Sequence, residues 1–216
     1  EDQCAHQLAV GSMHLQKGNL HKAEKAFRRA ISAYPTAPVG YHNLAVVLSR
    51  SNKRPEACKY ALLATDLSVK TYNNGKEEKQ AWARSWAMAC ALLFKPACDE
   101  VPRPSWWTDP ELLRLSEIVV NLIPDEIQID VWQTRSLVLA GQGSSGSRIP
   151  GSTVRTAAQI RKASDCYRRQ AKQIPYMAAA CQQAAASLDQ RAAMMDAMLA
   201  DCPGLEQMLA GMKLPA

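Results

Sequence analysis

Small and large apolar residues return along the first part of the chain at a fixed interval of 34 positions. Ala23 comes back as Ala57, Ala30 as Ala64, Val10 as Leu44, and Gly11 as the equally small Ala45. Self-similarity at that period marks stacked supersecondary units, none of which buries its apolar face alone. Within a unit, Gly11 and Ala23 let two antiparallel helices approach closely, Phe27 fills the space beside them, and Pro35 stops the second helix. The first unit is therefore expected over 4–37, with helices near 4–17 and 20–34 joined at Gly18 and Asn19, and the second over 38–71.

A tract with Asn73, Asn74 and Gly75 interrupts the period, after which Trp86, Ala89, Cys90 and Leu93 repeat the first-helix spacing. This third unit is expected over 83–124. Its second helix is displaced by an insertion at 95–108. Asp109 is a candidate N-cap, Pro110 suits the first turn, and Leu112, Leu113, Leu115, Ile118, Val119 and Leu122 form an apolar stripe ending at Pro124. A fourth unit over 125–175 is marked by a gapless match: residues 162–169 and Pro175 align on residues 22–29 and Pro35. Its first helix is predicted over 125–140, where Trp132, Ser136 and Leu139 fit the pattern and Arg135 replaces an apolar residue. A Gly/Ser-rich insertion occupies 141–152. The stretch 176–201 is rich in Ala, Met and Gln without Gly or Pro, and predicts one long helix capping the stack. Cys202, Pro203 and Gly204 break it before a short helix at 204–212. The sum is one all-α domain over residues 1–216.

Gly11, Gly18, Ala23, Phe27, Ala30 and Pro35 stand where the tetratricopeptide-repeat (TPR) signature places its small, aromatic and helix-ending residues, so the chain resembles a divergent TPR protein. The Trp-containing and Gly-rich insertions are also similar to those of repeat proteins predicted in unicellular algae. The resemblance implies a right-handed solenoid of about four helical hairpins that binds protein partners in a concave groove. It assigns Leu8, Ser12, Leu15, His42, Asn43, Val46 and Arg50 to that groove, continued by Met88 and Ala91. TPR proteins that clamp chaperone carboxylates use a Lys and an Asn where this chain has Leu8 and Ser12; Asn43 alone matches. An apolar peptide or helix is the guest this groove suits, and the chain's own C-terminal helix is the alternative occupant. Both insertions should reach the same edge of a solenoid, offering Trp106, Trp107 and Arg148 to a partner; the alternative is that the two Trp rings fold back over their own helices. The function implied is a non-catalytic scaffold, an accessory subunit of a larger complex, with a plastid or other organelle favoured over the cytoplasm. A peptide or chaperone adaptor and an organellar RNA-binding helical-repeat protein are the alternatives.

Composition adds limits. The net charge of +6 is spread over helices, and its short clusters, 22–29, 50–54 and 161–172, lack the interleaved aromatics that stack nucleobases, so nucleic acid is not expected. No apolar run is long enough to span a bilayer. The acidic opening Glu1-Asp2 suggests a processed chain from which a targeting segment has been removed. Seven cysteines show no C-x-x-C pair and no His at zinc-finger spacing, and read as small core residues in a reducing compartment. Cys166 and Cys181 lie almost equally far from the turn at Ile174 and Pro175, so antiparallel helices could bring them together as a disulfide. His6, His14, His21 and His42 have no set of carboxylate or thiolate companions, and Gly141 to Gly151 lacks a P-loop Lys. Neither metal, cofactor nor enzymatic activity is expected.

Overall fold

In a computed structural model, the structure describes residues 2–71, 75–124, 130–143, 149, 152–202, 204, 205 and 208. They form an all-α helical-repeat fold, with β-structure confined to single bridge residues at Gln142 and Thr153. Nine α-helices are present among them: α1 Asp2–Gln16, α2 Leu20–Ala33, α3 Pro38–Arg50, α4 Arg54–Thr71, α5 Lys76–Leu93, α6 Asp109–Leu122, α7 Val131–Ala140, α8 Ala157–Gln173 and α9 Ala178–Asp201. Residues 125–129, Arg148 and most of 204–212 lie outside the described residues, and with them parts of three expected elements.

The helices divide between two units, Glu1–Arg103 and Pro104–Ala216. In the first, α1 packs on α2, α2 on α3, α3 on α4 and α4 on α5. The α1–α2 turn is possible because Gly18 takes a left-handed φ of +73°, which costs a glycine nothing. Pro38 opens α3 at its first turn, where a missing N–H is harmless. Ala23, Phe27, Ala30, Leu44, Ala45, Ala57 and Ala64 are all 0% exposed, so the recurring residues form the seam between helices. The seam is tight. A Cβ added at Gly11 would fall 2.5 Å from Phe27 Cε1, and one at Gly40 would fall 3.1 Å from Ile31 Cγ1. The stretch after α5 is held to it by Arg103, whose guanidinium donates to the carbonyls of Leu93, Cys98 and Val101 at 3.1, 2.8 and 3.2 Å.

In the second unit α6 packs on α7, α7 on α8 and α8 on α9. The two helices of the expected third repeat, α5 and α6, thus fall in different units. Thr156 and Gln159 close a capping box at the start of α8, and Gly141, left-handed at φ +66°, ends α7. The N-cap of α6 is Thr108 rather than Asp109, which sits one residue inside the helix. Asp109 has another role: its carboxylate takes a two-pronged ion pair from Arg155, with Arg155 at 1% and Asp109 at 4% exposure. Arg155 also donates to the carbonyls of Leu139 and Val138 at 3.1 and 3.0 Å, while Thr153 donates to Asp109 through its N–H and hydroxyl. One guanidinium therefore joins the first turn of α6 to the last turn of α7.

Arg135, at the position expected to be apolar, reaches α6 instead, donating to Leu113 O at 2.5 Å and Ser116 Oγ at 2.7 Å. The neighbouring small residue keeps the seam: Ser136 is fully buried and donates to Ala163 O at 2.7 Å. Gln170 occupies the position of Ala30, and its Oε1 accepts from the N–H groups of Trp132 and Gln133 at 3.1 Å each, satisfying two orphan donors at the start of α7. The long C-terminal helix begins at Ala178 after a 3₁₀ turn at Pro175–Met177 and buries only Cys181, Ala185, Leu188 and Ala192. That pattern is a single face laid on α8.

The Cys166–Cys181 disulfide is not formed; both are buried free thiols. The reason is the facing of the helices. Cys166 lies beside Arg135, whereas it is the next residue, Tyr167, that lies beside Cys181.

Candidate functional site

The residues assigned to the groove from the first two repeats and the third first-helix all fall in the first unit, on α1, α3 and α5. Seam residues of these helices turn inward. The assigned residues are intermediate in exposure, Leu8, Ser12 and Leu15 on α1, His42, Asn43 and Val46 on α3, Met88 and Ala91 on α5, forming a half-exposed row, with Arg50 exposed at the end of α3. Five of its members, Leu8, Leu15, Val46, Met88 and Ala91, are apolar, and Ser12 and Asn43 carry hydrogen-bonding groups. Side chains held half out of water on rigid helices are suited to bury more apolar area when a partner arrives.

His42 links two of these helices, its Nδ1 lying 3.2 Å from Ser85 Oγ of α5. Burial, helped by the nearby Arg84 guanidinium, pushes the imidazole down to about 4, so it is neutral at physiological pH. A Ser–His pair has the composition of a nucleophile and its base. Ser85, however, is 2% exposed, and a hydroxyl closed off in this way meets no substrate. The pair works as a strut between α3 and α5.

Cys58, Cys90 and Cys98 gather in the same unit. Cys58 is hydrogen-bonded to Cys98 and lies beside Cys90. Burial is the main cause that pushes Cys58 up to about 12 and raises the Cys90 and Cys98 thiols as well. Thiols held protonated pack as small apolar groups and react poorly. Among the described residues no group of three or more His, Cys, Asp or Glu could hold a metal ion.

Arg28 donates to Tyr60 Oη, Glu24 and Glu56 at 2.9, 3.0 and 2.7 Å, and Lys53 pairs with Glu24 at 3.2 Å. These bonds fasten α2 to α4. Burial would raise the Glu24 carboxyl, but hydrogen bonds from Arg28 and Lys53 outweigh it and hold the group below its ordinary value.

In the second unit Trp106 remains half-exposed, whereas Trp107 is 9% exposed and belongs to the core. Only the first of the two is offered at the surface. A cleft of about 190 Å³ opens between α7, α8 and α9, lined by Leu137, Ala140, Tyr167, Ser187 and Leu188 among others. It is smaller than the roughly 300 Å³ at which drug-sized ligand pockets begin. Tyr167 is pushed up to about 12 by burial, which leaves it a neutral lining group.

Arg103, Arg155, Gln170 and Arg135 are polar residues that sequence reasoning did not assign a role. Each satisfies backbone groups at a helix end or in a neighbouring helix; Arg135 and Gln170 were signalled by polarity at a position where the other repeats are apolar, whereas Arg103 and Arg155 lie in or beside the insertions and carried no such signal. No helix among the described residues is long and apolar enough to cross a membrane. The sequence matches no protein-family model, and no curated protein shows significant similarity to it.

Proposed function

We propose that this protein is a non-catalytic interaction scaffold of the tetratricopeptide-repeat type, whose half-exposed row on α1, α3 and α5 receives a segment of a partner protein. One observation carries the reading. The small residues that recur every 34 positions are spent on the inter-helix seam, while Leu8, Leu15, Val46 and Met88 on successive first helices keep part of their apolar surface exposed. A surface assembled from successive repeats is long, shallow and rigid, and such surfaces read extended or helical segments. The groups with chemical potential support the same reading by being shut away: Ser85 is buried, His42 is neutral, and the clustered thiols are protonated.

The partner is expected to be another subunit of a larger complex; the resemblance to algal repeat proteins favours a plastid setting. Affinity capture from the native source tests this, comparing the wild type with V46E/M88E, which puts two carboxylates into the row. Proteins held by the wild type and lost from the variant are the expected result. Identical protein profiles for the two would contradict it. The basic first unit gives the RNA-binding alternative its one support, and a gel-shift assay with salt titration distinguishes the two, since phosphate contacts weaken steeply as salt rises.

A further inference from the structure

The charge of the chain is divided unevenly. Residues 1–103 hold fifteen Lys and Arg against nine Asp and Glu, and residues 104–216 hold eleven of each, so the whole +6 excess lies in the first unit. Part of that excess is concentrated on one helix. Lys22, Lys25 and Arg29 follow at i, i+3 and i+7 on α2, which sets them within one face along about 10 Å of helix. All three are exposed, and none has an ion-pair or hydrogen-bond partner among the described residues. The only acidic residue of α2, Glu24, is already taken by Arg28 and Lys53 on the side facing α4. The stripe is therefore a row of uncompensated cations on a rigid support, and its like charges repel until an anion arrives.

We infer that this face of α2 docks an acidic segment of a partner protein. The inference rests on the scaffold reading and adds the chemistry of one contact. Two features favour a protein over other polyanions. Between the cations α2 exposes no aromatic ring on which a nucleobase could stack, and none of the residues flanking them on this face is a large apolar side chain that could enter a bilayer. Carboxylates spaced at i and i+4 on a helix match the spacing of the three cations.

Fluorescence anisotropy with a labelled synthetic peptide carrying glutamates at i, i+4 spacing tests the inference, with poly(U) RNA and phosphatidylserine vesicles as competing probes. The decisive comparison is K22E/K25E/R29E against K59E/K70E/K76E. The second set reverses three exposed cations of the same unit outside the stripe, so net charge is equal in the two. Peptide binding is expected to weaken on the order of ten-fold or more in the stripe variant and far less in the control. The neutral K22Q/K25Q/R29Q, with an unchanged thermal melt, should show an intermediate loss. Equal weakening by both charge reversals, no binding of the peptide, or tighter binding of RNA or vesicles by the wild type would each overturn it. If V46E/M88E still abolishes partner capture in that event, the scaffold reading stands and only this contact is lost.

Discussion

Gly11 is the residue on which the close approach of α1 and α2 most directly depends. Alanine there would gain about 1 kcal/mol of helix propensity, but its Cβ would meet the ring of a fully buried Phe27 at 2.5 Å. Overpacking a filled core costs about 1–3 kcal/mol, so the clash wins. G11A is expected to lower the urea midpoint, and an unchanged or raised midpoint would show the seam to be loose. His42 gives a second prediction at this scale. Its folded value of about 4 lies below the ordinary imidazole value of about 6.5, so between these pH values the unfolded chain takes up a proton that the folded chain refuses. Stability must then fall as the pH drops from 6.5 toward 4, by up to about 1.4 kcal/mol per pH unit for this one group. Unfolding midpoints of H42N over the same range should decline less steeply than those of the wild type.

Between elements, the Asp109–Arg155 pair decides how α6 meets α7. Removing one partner of a buried pair strands a charge and costs about 3–5 kcal/mol, whereas replacing both with apolar residues can be neutral. R155M should therefore be strongly destabilised, and D109L/R155M should recover much of the loss in a denaturant titration. Burial alone would raise the Asp109 carboxyl, but the hydrogen bonds and charge of Arg155 and those of Thr153 hold it below its ordinary value. Its contribution is thus complete above a pH of about 4 and disappears as pH falls through the lower folded value. The acid limb of the pH–stability curve should be shallower in the double variant. Asp109 shows why such roles escape sequence reading: next to Pro110 it has the composition of a helix cap, and nothing local reveals an arginine 46 positions away. Helix existence was legible because it follows from local periodicity, as the bounds of α2 and α6 show. The division of the third repeat was not, because the insertion over 95–108 cuts the repeat there and α5 and α6 fall in different units.

For the molecule as a whole, the same repeat that closes the core also determines what faces outward. Leu8, Val46 and Met88 are assigned to a groove by the family resemblance alone, and in the structure they keep intermediate exposure on helices whose Gly11, Ala45 and Cys90 are buried. The cationic stripe was visible as a run of charge, but its lack of partners appears only once Glu24 is seen bound to Arg28 and Lys53. Which of the two alternatives holds for Trp107, and whether Cys166 faces Cys181, could not be decided from local pattern, because burial and side-chain facing depend on neighbours that it does not name. The binding role of the outer row can be read directly by amide hydrogen exchange of the chain with and without its captured partner. Slowed exchange concentrated in α1, α3 and α5, with α8 and α9 unchanged, is the predicted footprint; protection confined to α6–α9 would contradict the account.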